Sequence, residues 1–178
     1  MKVEVVIALG ANLGDRERTL RQAVEELGRS VGRVIAVSSF QFTPAVTLPG
    51  QANVPDYLNG AVLLDSEIPP AELLLRLQAL ERQLGRERER ETEPWAPRTL
   101  DLDLILADQI SMNTPGLTLP HPEMHRRDFV LGPLVELKPD WRHPHLGKTA
   151  RELFLDLGRP GWRVPGEHQE RCPGPRPG

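Results

Sequence analysis

Residues 97–106, with the sequence PRTLDLDLIL, decide how this chain is interpreted. From Leu100 onward leucine alternates with aspartate and then runs apolar, which is the period-two pattern of a half-buried β-strand. Successive strand residues point to opposite faces, so Asp101 and Asp103 should project side by side while the leucines pack the other way. Two carboxylates held this close repel each other unless a cation binds between them or one takes up a proton.

The aspartate pair predicts a hard-metal site. Oxygen ligands suit Mg²⁺, which prefers one or two carboxylates together with phosphate oxygens and water. Arg98 lies just before the strand, and guanidinium groups beside such a metal indicate a polyphosphate substrate. The alternative is a strand edge with two solvated aspartates, which is the commoner meaning of an isolated Asp-x-Asp match. The neighbouring arginines favour the metal site.

Bulk composition narrows the class of protein. With 178 residues, 39% of them hydrophobic and 26% charged, the chain is most simply one domain with a sizeable core. A net charge of −3 argues against a nucleic-acid or membrane-surface binder, and no apolar stretch approaches membrane-spanning length. The lone Cys172 excludes an internal disulfide and fits a reducing compartment. We expect a soluble, cytoplasmic monomer.

The residues before the Asp-x-Asp strand alternate strand and helix signals. Two long connections, residues 43–55 and 85–99, should be irregular, and the second carries alternating arginine and glutamate. The regular elements in chain order are strand 3–9, a helix capped by Asp15 that Gly28 should stop, strands 32–42 and 57–65, and an amphipathic helix opened by Pro69 and Pro70. This order, closed by the Asp-x-Asp strand, is that of a ferredoxin-like α+β sandwich.

We therefore predict an α+β fold with a mainly antiparallel sheet, helices on one face, and extra elements at the C-terminal end. Residues 1–158 should form the single domain, and residues 159–178, rich in proline and glycine, a disordered and dispensable tail. The extra elements are a short partner strand for the Asp-x-Asp strand at 110–112, an extended segment at 117–122, a helical stretch at 123–137 interrupted near Gly132-Pro133, and a helix capped by Thr149 and ending at Gly158.

Several polar side chains are candidates for substrate contacts. The chain has no Gly-rich phosphate loop followed by lysine, so arginines would have to hold a nucleotide. His121 lies between two prolines that could fix its imidazole toward a phosphate, although a lone histidine is more often structural. Tyr57 and Asn59 share a strand face and could stack on a flat heterocycle and bind its edge, or be core and strand-end residues. The candidate arginines are Arg86, Arg88, Arg98, Arg126 and Arg127. Any one of them alone is more often a surface charge, except Arg98, whose position at the start of the strand places it beside Asp101.

Five motifs in order make the chain, from about residue 3 to residue 144, resemble the 6-hydroxymethyl-7,8-dihydropterin pyrophosphokinase family of folate biosynthesis. They are ALGANLGD at 8–15, FTP at 42–44, DYLN at 56–59, WAPRTLDLD at 95–103 and LPH at 119–121. The resemblance implies transfer of the β,γ-pyrophosphoryl group of ATP to the pterin hydroxymethyl oxygen, with release of AMP. It also implies ATP and the reduced pterin as the binding partners, and neither nucleic acid nor membrane.

The resemblance assigns roles residue by residue. Asp101 and Asp103 match the ligands of two Mg²⁺ ions and, with Arg86 and Arg98, the catalytic residues. The positions that match ATP contacts are Gln78, Glu81, Arg86, Arg88, Arg98, Leu104, Thr118, His121 and Arg127. The positions that match the pterin pocket are Thr43, Pro44, Val46, Tyr57, Asn59, Trp95 and Phe129.

Some positions depart from the family pattern. Ala11 and Ala96 replace a usual serine and a usual glycine, and the longer charged segment leaves either Arg88 or Arg90 at the nucleotide-contact position. Two other classes of function stay open from the residues alone. One is a Mg²⁺-dependent phosphohydrolase that uses the same aspartates, and the other is a non-catalytic ferredoxin-like binding module.

Overall fold

A computed structural model describes most of the chain. The described residues are 1–44, 56–85, 100–158 and 160–166. Nearly all of the two connections expected to be irregular, and the last twelve residues, lie outside these ranges. The predictions made for those segments therefore stay predictions.

A five-stranded antiparallel sheet forms the centre of the protein. Four strands follow the order β2-β4-β1-β5, and β3 pairs with β4 alongside β2. The strands are β1 (Val3–Ala11), β2 (Arg33–Val37), β3 (Gln41–Thr43), β4 (Tyr57–Ser66) and β5 (Asp101–Ala107). The expected strand at residues 32–42 is thus two strands. They are separated where Ser38 bonds to the main chain of Ala61 and the ring of Phe40 fills the space that a side chain on Gly60 would need.

Two helices, α1 (Arg16–Ser30) and α2 (Pro70–Gln83), cover one face of the sheet. Their apolar stripes are buried against the strands, as helical periodicity predicts. Asp15 caps α1 by accepting a hydrogen bond from the Arg18 amide, which confirms that prediction. The expectation that Gly28 stops the helix is wrong, because α1 continues to Ser30 and the Val31 amide still donates to the Leu27 carbonyl. The order and packing of these elements confirm the ferredoxin-like α+β sandwich.

The opposite face of the sheet is also covered, which the expectation of helices on one face missed. A 3₁₀ turn (Met124–Arg126) leads into α3 (Asp128–Leu137), and α4 (Ala150–Asp156) packs beside it. The break predicted near Gly132-Pro133 is wrong, since α3 runs through both residues and the chain turns earlier. The helix capped by Thr149 is confirmed. No helix among the described residues is long and apolar enough to span a bilayer.

A separate hairpin follows β5. Its strands, β6 (Met112–Thr114) and β7 (Leu117–Leu119), pair only with each other among the named strands. The prediction that residues 110–112 would pair with β5 is therefore wrong. The outer edge of β5 is already occupied, because the Glu81 carboxylate accepts from the Leu102 amide and the His121 amide donates to the Ile105 carbonyl.

The segment after α4 contradicts the expected disordered tail. Residues 160–166 fold back on α3, and Trp162 is only 1% exposed. The Trp162 indole donates to the Glu136 carboxylate at 2.8 Å, and the Gly161 amide donates to Asp128 at 2.7 Å. The indole occupies the space that a side chain on Gly132 would need, so glycine at this position allows the ring to pack against α3. The tail prediction is wrong for residues 160–166, while residues 167–178 lie outside the described ranges.

Candidate active site

A row of paired residues crosses the sheet and defines the candidate site. Gly10 on β1 pairs with Asp101 on one side and with Asn59 on the other, and Asn59 pairs in turn with Gln41. Side chains of directly paired antiparallel residues lie on the same face. Since the neighbouring residues Leu102 and Leu58 are in the core under α1 and α2, this row faces the opposite side.

The two aspartates lie as their sequence pattern predicts. Asp103 pairs with Ala8, one step along the same face from Asp101. Asp101 is half-buried and Asp103 is exposed, whereas the alternating leucines are buried. A β-bulge at Ile105 then turns the rest of β5 into an apolar segment buried on both sides. The polar face of β5 is thus confined to the start of the strand, which carries the two carboxylates.

Glu81 anchors the strand that carries these carboxylates. It lies on α2, is 3% exposed, and accepts a hydrogen bond of 2.8 Å from the Leu102 amide, between the two aspartates. Edge-strand amides need such partners when they are buried. The contact favours a positioning role for Glu81 over the direct ATP contact that the resemblance implies.

We expect Glu81→Ala to lower the free energy of unfolding by about 1–3 kcal/mol, because the Leu102 amide loses its acceptor in a buried place. Turnover should fall as well, since the strand between the aspartates is less well held. Glu81→Gln still offers a side-chain oxygen that can accept from the Leu102 amide, and it should retain most of the stability. Urea denaturation and steady-state rates of both variants measure this, and equal losses in the two variants would contradict it.

A cavity of about 400 Å³ lies beside Asp103. It is the right scale for a small-molecule site. Its lining includes four residues that the family resemblance assigns to ATP or metal, and Gln78 lies one helical turn after Leu74 in the wall. The lining residues are Leu74, Asp103, Leu104, Thr114, Gly116, Leu117, Thr118, His121 and Pro122. The cavity therefore brings together predicted metal and nucleotide contacts from β5, from the hairpin strand that contains Thr118, and from the segment that follows it.

His121 presents a hydrogen-bond donor at this cavity. Its Nδ1 accepts from the Glu123 amide at 3.2 Å, so the neutral ring carries its proton on Nε2. Burial lowers the pKa of His121 below its ordinary value of 6.5, the positive charge of Arg127 lowers it further, and Glu123 acts in the opposite direction. A neutral imidazole with a fixed Nε2–H can donate to a phosphate oxygen.

We expect the His121 ring, followed by NMR through its titration, to have a pKa below 6.5. Arg127→Gln should raise that pKa without restoring the ordinary value, because burial is the larger cause. The neutral ring contributes stability that is fully present above pH 6.5 and is lost as the pH falls through the folded-state pKa. A ring that titrates at or above 6.5 in the folded protein would contradict this.

A polar and aromatic patch occupies the other half of the row. The Asn59 carboxamide is buried and donates to the hydroxyl of Thr43, while Tyr57 lies half-buried on the same face. A side chain on Gly10 would come within 2.8 Å of the Asn59 amide oxygen. Glycine at this position therefore leaves room for Asn59, a requirement that the sequence motif alone did not reveal.

The predicted residue Phe129 belongs to the same side of the sheet. It packs at the margin of the apolar cluster under α3 and α4, and the Arg127 guanidinium lies 5.8 Å from the centre of its ring. Pro44 is exposed at the end of β3. The remaining predicted site residues, Arg86, Arg88, Arg98, Val46 and Trp95, lie outside the described residues.

The donor set fits a metal that is completed by its substrate. Within the described ranges no group of three or more histidine, cysteine, aspartate or glutamate side chains is placed to hold an ion. Asp101 and Asp103 alone supply two carboxylates, which suits a hard cation that takes its other ligands from phosphate and water. The described residues of this face therefore offer no closed, all-protein metal site.

A second cavity, of about 630 Å³, lies on the side of the sheet that α1 and α2 cover, between α1 and strands β2 and β3. It is the larger of the two, but it contains none of the predicted site residues and no pair of carboxylates on one strand. Its lining mixes apolar residues such as Phe40 and Phe42 with Glu17, Arg21 and Glu25 of α1. We place the candidate site at the smaller cavity, where residues predicted to bind the metal and the nucleotide lie together.

A ferredoxin-like sandwich with paired carboxylates and an amide–aromatic patch on one sheet face, and a cavity at the edge of the strand that carries the carboxylates, fits the class of small group-transfer enzymes that act on a polyphosphate and a flat heterocycle. Residues 6–139 match the sequence model of 7,8-dihydro-6-hydroxymethylpterin-pyrophosphokinase (HPPK). The chain belongs to this family, as the resemblance predicted.

Curated relatives carry the name 2-amino-4-hydroxy-6-hydroxymethyldihydropteridine pyrophosphokinase. The protein of Synechocystis is 42% identical over 149 residues, covering 84% of this chain and 73% of the relative. That of Bacillus subtilis is 45% identical over 132 residues, covering 74% of this chain and 75% of the relative. The Pseudomonas aeruginosa protein is 37% identical over 171 residues, covering 96% of this chain and 97% of the relative.

Solved structures agree in fold. The Plasmodium falciparum HPPK-DHPS wild-type structure superposes with a TM-score of 0.66 at 13% identity over 88% of this chain. This chain spans only 45% of that longer polypeptide. At such low identity the likeness supports the fold and nothing finer.

Proposed function

We propose that this protein transfers the pyrophosphoryl group of ATP to the hydroxymethyl oxygen of 6-hydroxymethyl-7,8-dihydropterin, giving the pterin diphosphate and AMP in folate biosynthesis. The observation that carries the proposal is the single sheet face that joins Asp101 and Asp103 to Asn59 through Gly10. One end of this row suits a metal–phosphate complex, and the other suits a flat, nitrogen-rich ring. Family membership makes the pyrophosphokinase reaction the natural assignment.

Asp101 and Asp103 would hold Mg²⁺, two ions in the form that the resemblance implies. The metal would supply charge neutralisation for the triphosphate and lower the pKa of the attacking hydroxyl. Both carboxylates must be ionised for this. Their fixed spacing on a paired strand means that little reorganisation is needed on binding.

The reaction forms one bond and breaks one. The hydroxymethyl oxygen attacks the β-phosphorus, the bond from that phosphorus to the oxygen bridging to the α-phosphorus breaks, and AMP leaves with that oxygen. The hydroxyl proton passes to solvent. Positioning and electrostatics supply most of the catalysis in such transfers. The Nε2–H of His121 would donate to a phosphate oxygen, with Gln78, Thr118 and Arg127 as further nucleotide contacts.

The heterocycle would lie over the amide–aromatic patch. Asn59, whose carboxamide is oriented by Thr43, offers both a donor and an acceptor to a ring edge. Tyr57 and Phe129 would flank the ring faces. We also retain Arg86, Arg88 and Arg98 as the triphosphate clamp, and Val46, Pro44 and Trp95 as pocket residues, on the strength of the family motifs. A cytoplasmic monomer remains part of the proposal.

The test is AMP formation from MgATP with and without the reduced hydroxymethylpterin. We expect AMP in proportion to added pterin, no inorganic phosphate from ATP alone, and no turnover when EDTA removes the metal. Phosphate release without pterin would instead favour the phosphohydrolase. An absence of metal-dependent ATP binding would favour the binding module.

A further inference from the structure

Asn12 has a buried polar side chain whose role nothing in the described fold explains. It directly follows β1, is only 1% exposed, and neither its amide oxygen nor its amide nitrogen has a hydrogen-bond partner. An amide has one acceptor and two donors. Burial without a partner forfeits the hydrogen bonds to water and costs free energy that the folded protein must offset elsewhere.

Other buried polar side chains within the described ranges show how unusual this is. Asn59 donates to Thr43, Ser66 donates to the Val31 carbonyl, and Ser38 both donates to and accepts from main-chain groups. Asn12 is the described residue whose buried side-chain atoms lack any partner. Unsatisfied groups of this kind require a specific explanation, and a ligand is one of them.

The position of Asn12 points to the substrate patch. Ala11 pairs with Leu58, and both are buried under α1 and α2, while Gly10 faces the site row. Asn12 is the next residue after β1, and continuing the strand alternation by one residue assigns it to the face of the row, opposite Tyr57, the residue before Leu58 on β4. This is the end of the row farther from Asp103, so the nearest substrate group would be the heterocycle rather than the triphosphate.

We propose that Asn12 is a further substrate-binding residue, whose carboxamide pairs with the hydrogen-bonding edge of the heterocycle. This rests on the proposed function. In the free protein the amide is buried and unpaired, and binding supplies the missing partners. Because Asn12 is already buried away from water in the free protein, its hydrogen bonds to the ring need no further desolvation of the amide, and this raises the affinity. The same residue therefore lowers stability and raises affinity.

The experiment compares wild type with Asn12→Leu, which is close in volume, and with Asn12→Ala. Melting temperatures are measured without ligand, and calorimetry measures binding of the reduced hydroxymethylpterin to protein saturated with Mg²⁺ and the α,β-methylene analogue of ATP. We expect the leucine variant to melt at or above the wild-type temperature. In both variants the pterin Kd should rise at least about tenfold, and the Kd for the nucleotide analogue should change less than twofold.

Ser66→Ala is the matched control, since Ser66 is buried but has partners and lies at the far end of β4. It should melt lower than wild type and bind the pterin unchanged. Both Asn12 variants melting well below wild type with pterin Kd unchanged would overturn the inference, because the amide would then have partners in solution. A nucleotide Kd that rises as much as the pterin Kd would overturn it too. If wild type itself fails to bind the pterin, the proposed function fails first, whereas normal wild-type binding with unaffected variants removes only the role of Asn12.

Discussion

Replacing Asp101 or Asp103 by alanine is expected to lower turnover roughly 10³-fold, the scale of losing a preorganised electrostatic group in a transfer reaction. Stability should stay close to wild type. Neither carboxylate is buried in the core, and deleting one relieves like-charge repulsion while the strand keeps its leucines and its pairing with β1. Single-turnover rates and thermal melts of both variants measure the two effects.

Asp140→Ala is the control, because Asp140 is exposed in the turn after α3. Its neighbour Trp141 contacts Asp108, which lies at the end of β5 opposite to the end that carries the two aspartates. It should leave both rate and melting temperature unchanged. Strong destabilisation of the Asp101 and Asp103 variants, with activity retained in the folded fraction, would mean that the carboxylates serve packing and not the substrate.

Trp162→Ala is expected to cost about 3–5 kcal/mol in the free energy of unfolding, the usual range for a buried tryptophan. The change leaves a cavity over Gly132, where the indole packs, and removes the donor that bonds to the Glu136 carboxylate. Ending the chain after Pro160 should have a comparable effect. Chemical denaturation followed by circular dichroism gives the free energies.

Ending the chain after Gly166 provides the comparison. It keeps the packed segment and should leave stability and turnover near wild type, as the sequence prediction of a dispensable tail requires for residues 167–178. A Trp162→Ala variant within about 1 kcal/mol of wild type would show that the indole contributes far less than a buried tryptophan usually does.

Local sequence patterns predicted the parts of the fold that depend on local chemistry. The Leu-Asp alternation gave the direction of every side chain at the start of β5, because strand periodicity is a property of the backbone. Asp15 and Thr149 were recognisable as helix caps, because their side chains bond to amides three residues away. The order of these elements was sufficient to define the sandwich.

The errors arose where distant parts of the chain meet. Trp162 lies among prolines and glycines, a composition that is typical of a disordered tail. Its burial is explained only by the space that Gly132, which has no side chain, leaves on α3. The edge of β5 is covered by a helix side chain and by the chain near His121, so no local pattern could show that residues 110–112 would pair elsewhere. Tertiary contacts decided each of these.

The candidate site was predictable by residue type but not by geometry. Asp101, Asn59 and His121 were identifiable from motifs, whereas the clearance that Gly10 provides for Asn59 depends on strand register. The unpaired amide of Asn12 had no sequence signal at all, since its loop motif is compatible with an ordinary turn. Burial without a partner is visible only in three dimensions.

The most direct test of the central claim follows the phosphorus atoms of ATP. The protein is incubated with Mg²⁺, the reduced hydroxymethylpterin, and ATP labelled with ³²P at either the β or the γ position. The account predicts that both labels appear in the pterin product in equal yield and that the α-phosphate is recovered in AMP. Transfer of the γ label alone, with ADP as the second product, would contradict the account, as would recovery of either label as inorganic phosphate.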